Sequence, residues 1–363
     1  MTRDPETYRR VHLAFWELSE SSSPLIGFTV GAGADTWSHW QYNKAAQALL
    51  GKETISAEDL DPAKFVEDQR RYLDSSARIE DDVCRTAIPL ASIPWMEAIL
   101  GCPIHSSGTS LKSKEILDDP ASLSPVQFDP ADPWIRKYLQ FIDVYHQSFG
   151  DLYPIGQSVI RGPSDLACAL LGAENATMAL VMEPEAMRRL LGYITDQLEK
   201  FLCLQLQHLP VFQGGYVIGQ YEIWAPQPVI RIQEDFSVLY SPQLYDEFLR
   251  PLDERLAGIV SYSLMHLHSS SLFLIDNFLE VSSIKAFQVS KDAGTDSIAA
   301  MLPGLEKIQQ AERPIIIKGV FDDHDLQLIR EKLSVTGLCL QPVVSDVDEA
   351  EQMLPRIRRL WGE

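Results

Sequence analysis

The sequence predicts an α/β fold, a single (β/α)8 TIM barrel over residues 1–363. Three observations carry the prediction. Short apolar runs of strand length recur about eight times, the number a closed parallel barrel needs. Longer stretches with apolar residues at helical spacing separate the later runs, and this alternation builds a parallel sheet with helices outside it. The chain has 363 residues, 45% of them hydrophobic, enough for a full core, and α/β barrels reach this length as single domains. Periodicity alone fits an open doubly wound sheet as well; the strand count favours the barrel.

An N-terminal helical segment comes first, followed by the strand candidate PLIGFTV near residue 24. The stretch VGAGADTWSHW (30–40) then reads as a βα loop, since its glycines lack the G-x-G-x-x-G spacing of a dinucleotide site. DVCRTAIP near 82 and YPIGQSVI near 153 are the second and third strand candidates. Between them DDPASLSPVQFDPADP (118–133) reads as a long surface loop. PEAMRRLLGYITDQLEKFLCLQLQHL is a helix opened by Pro184, where a missing N–H costs little. GGYVIGQYEIW near 214 is extra strand-like sequence, read as an inserted hairpin near 214–226 or an extended loop over the barrel mouth. PVIRIQEDFS near 228 is the fourth strand candidate. SPQLYDEFLRPLDERLAGIV is next, a helix with Ser241 as N-cap and Pro242 in its first turn, broken or kinked at Pro251. SYSLMHLH near 261, IKAFQVS near 284, PIIIKGV near 314 and GLCLQPVV near 337 complete the strands, and DEAEQMLPRIRRLW closes the chain as a helix.

The formal net charge of −20 disfavours nucleic acid and anionic membrane surfaces, which need clustered Lys and Arg. Five cysteines with no C-x-x-C pair argue against a disulfide framework or a zinc knuckle. The opening MTRDPETYRR has no apolar core of a signal peptide, and no apolar run reaches membrane-span length, so a cytoplasmic location is expected.

Three segments resemble the uroporphyrinogen decarboxylase superfamily, which includes corrinoid-dependent methyltransferases. RGPSDLACALLGAENATMALVMEPEAMRRLL (161–191) is similar to its Gly-Pro turn, helix and Pro-led helix. EDFSVLYSPQLYDEFLRPLDERLAGIV (234–260) is similar to its acidic strand end and the S-P-x-x-Y-x-x-F-x-x-P run. MHLHSSSLFLIDNFLEVSSIKAFQVSKD (265–292) resembles its His-ended fifth strand, the next helix and the sixth strand. The likeness covers roughly residues 150–361; earlier, the order of elements and WMEAILGCPI (95–104) match. It implies the barrel fold, a site at the C-terminal strand ends, a homodimer, and methyl transfer or decarboxylation. Two features depart from the decarboxylases: residues 30–40 hold no arginine where they carry a basic loop, and CRTAIPL (84–90) holds no clear equivalent of their catalytic Asp.

His266 and His268 are the sharpest candidates, two apart on a strand and therefore on one face. In the methyltransferase branch the matching place reads His-x-Cys and binds zinc that activates a thiol. Here His268 replaces the cysteine, and no cysteine aligns near 341–343, so Asp235 is nominated as third ligand, with zinc, manganese or iron as the metal. A hydrogen-bonded polar pair without metal is the plainer alternative. Glu234 and Asp235 end the fourth strand, as base, ligand or helix-end charge. Arg161, Gln288, Lys291, Lys318 and Gln341 lie near strand ends and are candidate substrate contacts, against ordinary pairing with neighbours. Glu222 and Trp224, with Tyr221, are a candidate substrate wall in the inserted segment, against a packed hairpin. The leading expectation is methyl transfer to a small molecule centred on His266, His268 and Asp235, with a corrinoid, free or protein-borne, as donor. The alternatives are decarboxylation of a tetrapyrrole or other polycarboxylate, and a barrel that binds a corrinoid or small molecule without catalysis.

Overall fold

The computed structural model describes residues 5–31, 44–106, 110–292 and 297–362. Most of the glycine-containing stretch 30–40 lies outside the described residues. The strands are β1 Leu25–Ile26, β2 Thr29–Val30, β3 Ile104–Ser106, β4 Leu111–Ser113, β5 Tyr216–Ile218, β6 Ile223–Ala225, β7 Val229–Gln233, β8 Tyr262–His268, β9 Ala286–Ser290, β10 Ile315–Gly319 and β11 Leu338–Val344. A parallel sheet runs β1-β11-β10-β9-β8-β7, with β2 pairing the far end of β11. β3–β4 and β5–β6 are separate antiparallel hairpins. The fold is α/β with a mostly parallel sheet.

Period-two alternation sorts each strand's residues. Ile230 and Ile232, Met265 and Leu267, Phe287 and Val289, Ile315 and Ile317, and Leu338 and Leu340 share one core cluster with the helices. The opposite face is graded along the strands. Its lowest layer, Leu25, Val229, Leu264, Ala286, Ile316 and Cys339, is apolar and packs on Ile218, Tyr221 and Ile223 of the hairpin and on Phe15 and Trp16. One step up come Arg231, His266, Gln288, Lys318 and Gln341, and above them Gln233, His268 and Ser290. The register aligns Gln233 with His266, His266 with Gln288, and Lys318 with both Ser290 and Gln341.

The expected second and third strands are the main departure from the sequence reading. Around 82–89 and 153–160 the structure has one parallel bridge, Ala87–Ile155, instead of ladders. Side chains take the place of strand backbone. Asp82 and Asp81 carboxylates accept from Ile26 N and Phe28 N at 2.9 Å each. The Gln157 amide accepts from Arg231 N at 2.9 Å and donates to Arg231 O at 3.1 Å. Each satisfies a main-chain group that a ladder would otherwise pair. Gly156 permits close nesting of the hairpin, since a Cβ there would lie 2.6 Å from Gly219 Cα.

The helices obey the local signals. Pro184–His208 is continuous with Pro184 in its first turn. Ser241 accepts from Leu244 N at 3.2 Å, and the expected break near Pro251 divides Pro242–Phe248 from Arg250–Ala257. Residues 118–133 are irregular apart from one short 3-10 turn. All five cysteines are free thiols. Among the described residues no single helix is long and apolar enough to cross a membrane.

Candidate active site

A pocket of about 690 Å³ opens at the C-terminal ends of the strands, a size suited to a small molecule. Arg231, Gln233, Asp235, His266, His268, Lys291, Asp292 and Lys318 are among its lining residues. Asp235 lies just past β7 at the start of a 3-10 turn, beside the two histidines at the end of β8.

Their ligand atoms all lie within 4.8 Å of one another. Asp235 Oδ1 is 3.6 Å from His266 Nε2, and Oδ2 is 3.8 Å from His268 Nε2. Both separations exceed a hydrogen bond, so the three groups converge without bonding one another. Asp235 Oδ1 is buried and has no hydrogen-bond partner.

The surroundings orient each group. His266 Nδ1 bonds Gln288 Oε1 and lies 2.9 Å from the Tyr221 hydroxyl. Because the Gln288 amide nitrogen is 3.1 Å from Ser290 Oγ, its oxygen faces the ring; the network puts the proton on Nδ1 and leaves Nε2 with a lone pair. His268 Nδ1 donates to Asp292 Oδ1 at 2.6 Å, so its Nε2 lone pair also faces Asp235. Gln233 Nε2 donates to Asp235 Oδ2 and to Asp165 Oδ2, each at 2.8 Å.

Burial and the nearby charges of Arg231 and His268 hold the His266 imidazolium well below its usual range. The Asp292 hydrogen bond raises His268, with Asp235 adding to it against burial. Burial pushes the Asp292 carboxyl up, but the bond to His268, the charge of His268 and the bond from Ser269 together outweigh this and the net shift is downward. Burial, with the charge of Asp235, raises Asp165 to about 7.

The other candidates divide. Arg161 lines the pocket but is paired with Glu97 at 2.9 Å. Lys291 lines it too, with Nζ 2.5 Å from Asp325 and 2.9 Å from Val320 O. Lys318 reaches the pocket and is stacked on Tyr221, its Nζ 5.7 Å from the ring centre. Gln288 and Gln341, expected as substrate contacts, share the layer of His266 and Lys318 but are not among the lining residues: Gln288 holds His266, and Gln341 donates to Tyr221 O at 2.6 Å. Glu222 and Trp224, the candidate substrate wall, are not among the residues that line the pocket. The hairpin enters beneath the pocket, where Glu222 binds Arg85 at 2.5 Å and Tyr72 at 2.7 Å. Trp224 is packed with Tyr8, Cys84, Phe212 and Val217. Glu234 accepts from Ser164 N at 2.8 Å, at a helix start, and is the structural member of the acidic pair. Sequence reasoning missed Arg231, buried on the pocket face two residues before Gln233, and gave Asp165 and Asp292 no part in holding Asp235 and His268.

No protein-family model matches the sequence, and no curated protein matches it. Among solved structures, a methyltransferase from Methanosarcina mazei is similar with a TM-score of 0.66 at 12% identity, over 98% of this chain and 99% of that one. The likeness spans both chains almost fully and is one of fold.

Proposed function

We propose that this chain is a divalent-metal-dependent enzyme of methyl transfer to a small molecule. In this reading its sheet forms a (β/α)8 barrel, closed between β1 and β7 by the segments around 82–89 and 153–160. The observation that carries the proposal is the convergence of Asp235, His266 and His268, with Asp235 Oδ1 buried and unpartnered. A buried carboxylate oxygen without a partner is costly unless something positive satisfies it. Two imidazole nitrogens and one carboxylate match the three protein ligands of a catalytic zinc site, with a fourth position left for substrate. The two Asp235–histidine separations, 3.6 and 3.8 Å, exceed by a little the roughly 3.4 Å that tetrahedral bonds of about 2.1 Å require.

Asp235, His266 and His268 would hold the ion, and Asp292, Gln288 and Gln233 would fix the orientation of their donor atoms. Once bound, the ion supplies Lewis acidity that lowers the pKa of an acceptor thiol. The chain's own contribution is a site in which His266 stays neutral, Tyr221 closes the floor, and the polar groups meet the acceptor on one side. The acceptor thiol loses its proton and gains the methyl group, and a methyl corrinoid gives up that group. The likeness in fold to a methyltransferase supports this direction of chemistry.

The test has two parts. Zinc titrated into the metal-free chain is expected to bind with one ion per chain, and His268→Ala and Asp235→Ala to lose that binding while keeping the fold by circular dichroism. Methylcobalamin offered with a panel of small thiols is expected to be demethylated by the zinc-loaded protein and not by either variant. Zinc binding without demethylation would leave a metal-binding barrel and overturn the methyl-transfer reading. Unchanged zinc affinity in both variants would overturn the metal centre.

A further inference from the structure

Two cations face the pocket without an ion-pairing acid; Glu222, whose charge acts on Lys318, is already paired with Arg85. Arg231 is 2% exposed and Lys318 is 8% exposed, and both line the cavity. Arg231 Nε donates to the Tyr221 hydroxyl at 3.5 Å, and one terminal nitrogen donates to Ile160 O at 3.4 Å. Among the described residues neither cation makes an ion pair. Other cations near this end of the sheet are neutralised: Arg85 by Asp81 and Glu222, Arg161 by Glu97, and Lys291 by Asp325. Both unpaired cations lie against the same ring, with the Arg231 guanidinium carbon 5.9 Å and Lys318 Nζ 5.7 Å from the Tyr221 centroid. Burial, and then the charge of Arg231, push the Lys318 ammonium down to about 8 against the opposing charge of Glu222.

We infer that Arg231 and Lys318 form a subsite for a single carboxylate on the small-molecule substrate, whose other end reaches Asp235, His266 and His268. The inference rests on the proposed function only for the place of the reacting atoms. A guanidinium offers a planar fork that a carboxylate fills with two parallel bonds, and an ammonium adds a point charge beside it. Burying such a pair with no acid of its own is costly, and an incoming anion removes the cost. The Tyr221 hydroxyl, 2.9 Å from His266 Nδ1, places this subsite one side chain from the histidines. A polyanion does not fit the same wall. Arg161 and Lys291 are already neutralised, and Glu97, Asp292 and Glu349 line the pocket as negative groups. Val159, Val343 and Val344 offer apolar surface for a short hydrocarbon body.

The experiment compares propionate with propionamide, which share a shape and differ in charge. Each is titrated into the full chain in EDTA and monitored by ligand NMR line broadening, so that no metal holds the carboxylate. Propionate is expected to bind at least about tenfold more tightly than propionamide. Arg231→Gln and Lys318→Met are each expected to weaken propionate by about tenfold or more. Equal binding of acid and amide, or absence of binding by either, overturns the subsite, and this arm needs no variant to fold. Folded variants that bind propionate like the parent protein also overturn it. Zinc affinity is read in a separate titration without propionate, so failure of the metal centre and failure of the anion subsite are distinguishable.

Discussion

Asp292→Asn isolates the orientation of a donor atom from the donor itself. Asp292 touches no proposed reacting atom; its Oδ1 accepts from His268 Nδ1 at 2.6 Å, and its Oδ2 accepts from Ser269 Oγ at 3.1 Å. The carboxylate can only accept, so it fixes the proton on Nδ1 and leaves Nε2 bare. An asparagine can turn its NH2 toward Nδ1 and stabilise the opposite tautomer, with the proton on Nε2. Loss of such a supporting bond lowers metal affinity by about 10- to 100-fold, or about 1.4–2.7 kcal/mol. The sign of the pH dependence is a second check. Asp292 raises the His268 pKa, so in the parent protein protons begin to compete with zinc at a higher pH than they would at an unassisted histidine. The variant loses that raise, and competition starts at lower pH. The affinity gap between the two proteins is therefore widest near about pH 8 and narrows as the pH falls through His268's titration. Competition against a chromophoric zinc chelator measures both, with thermal unfolding as the control for folding. A variant that binds zinc within about twofold of the parent at the higher pH would refute the reasoning.

Two further outcomes are expected. No appreciable conversion of uroporphyrinogen to coproporphyrinogen should occur in an anaerobic assay, because the pocket offers two unpaired buried cations rather than the many that an octacarboxylate needs; turnover at enzyme-like rates would contradict the site description. Asp253, buried and held by the Tyr245 hydroxyl at 2.7 Å, is raised by burial to about 7. A carboxyl raised in the folded state contributes stability that is fully present below its unfolded pKa and lost as the pH rises through about 7. Asp253→Asn should therefore match the parent near about pH 4 and be the more stable of the two above about pH 8, read as urea midpoints; equal midpoints at both pH values would refute this.

The fold was legible where one physical rule governs each residue. In β8, YSLMHLH alternates apolar and inward-facing residues, and parity alone put His266 and His268 on one face. Parity does not say which inward residues reach the cavity, however. Gln288 and Gln341 lie on the inward face as expected, level with His266 and Lys318, but their amides are spent on neighbours and neither lines the pocket. Arg231 was hidden by its flanks: in VIRIQED it stands between isoleucines, while the rule that sites gather at strand ends singles out only the last acids. Its shared parity with Gln233 and Asp235 was the available signal. The two missing ladders were illegible for another reason. DVCRTAIP and YPIGQSVI have strand-like apolar content, but their neighbours are paired by Asp81, Asp82 and Gln157 side chains, and composition does not reveal such substitution. The hairpin was read from its sequence, but its entry from below depends on Gly156 and Gly219 letting two backbones approach, a tertiary condition.

The hairpin turns the cavity into a blind well. Tyr221 and the apolar layer of Leu25, Val229, Leu264, Ala286, Ile316 and Cys339 seal the end opposite the mouth, each 6% exposed or less. Among the described residues the well opens only at the C-terminal ends of the strands. Under the proposed methyl transfer, a donor too bulky to enter would present its methyl group from the rim. The small acceptor would then be seated before the donor arrives, and the product would leave after the donor has withdrawn. A well of this shape would make order of binding and release a consequence of the proposed reaction.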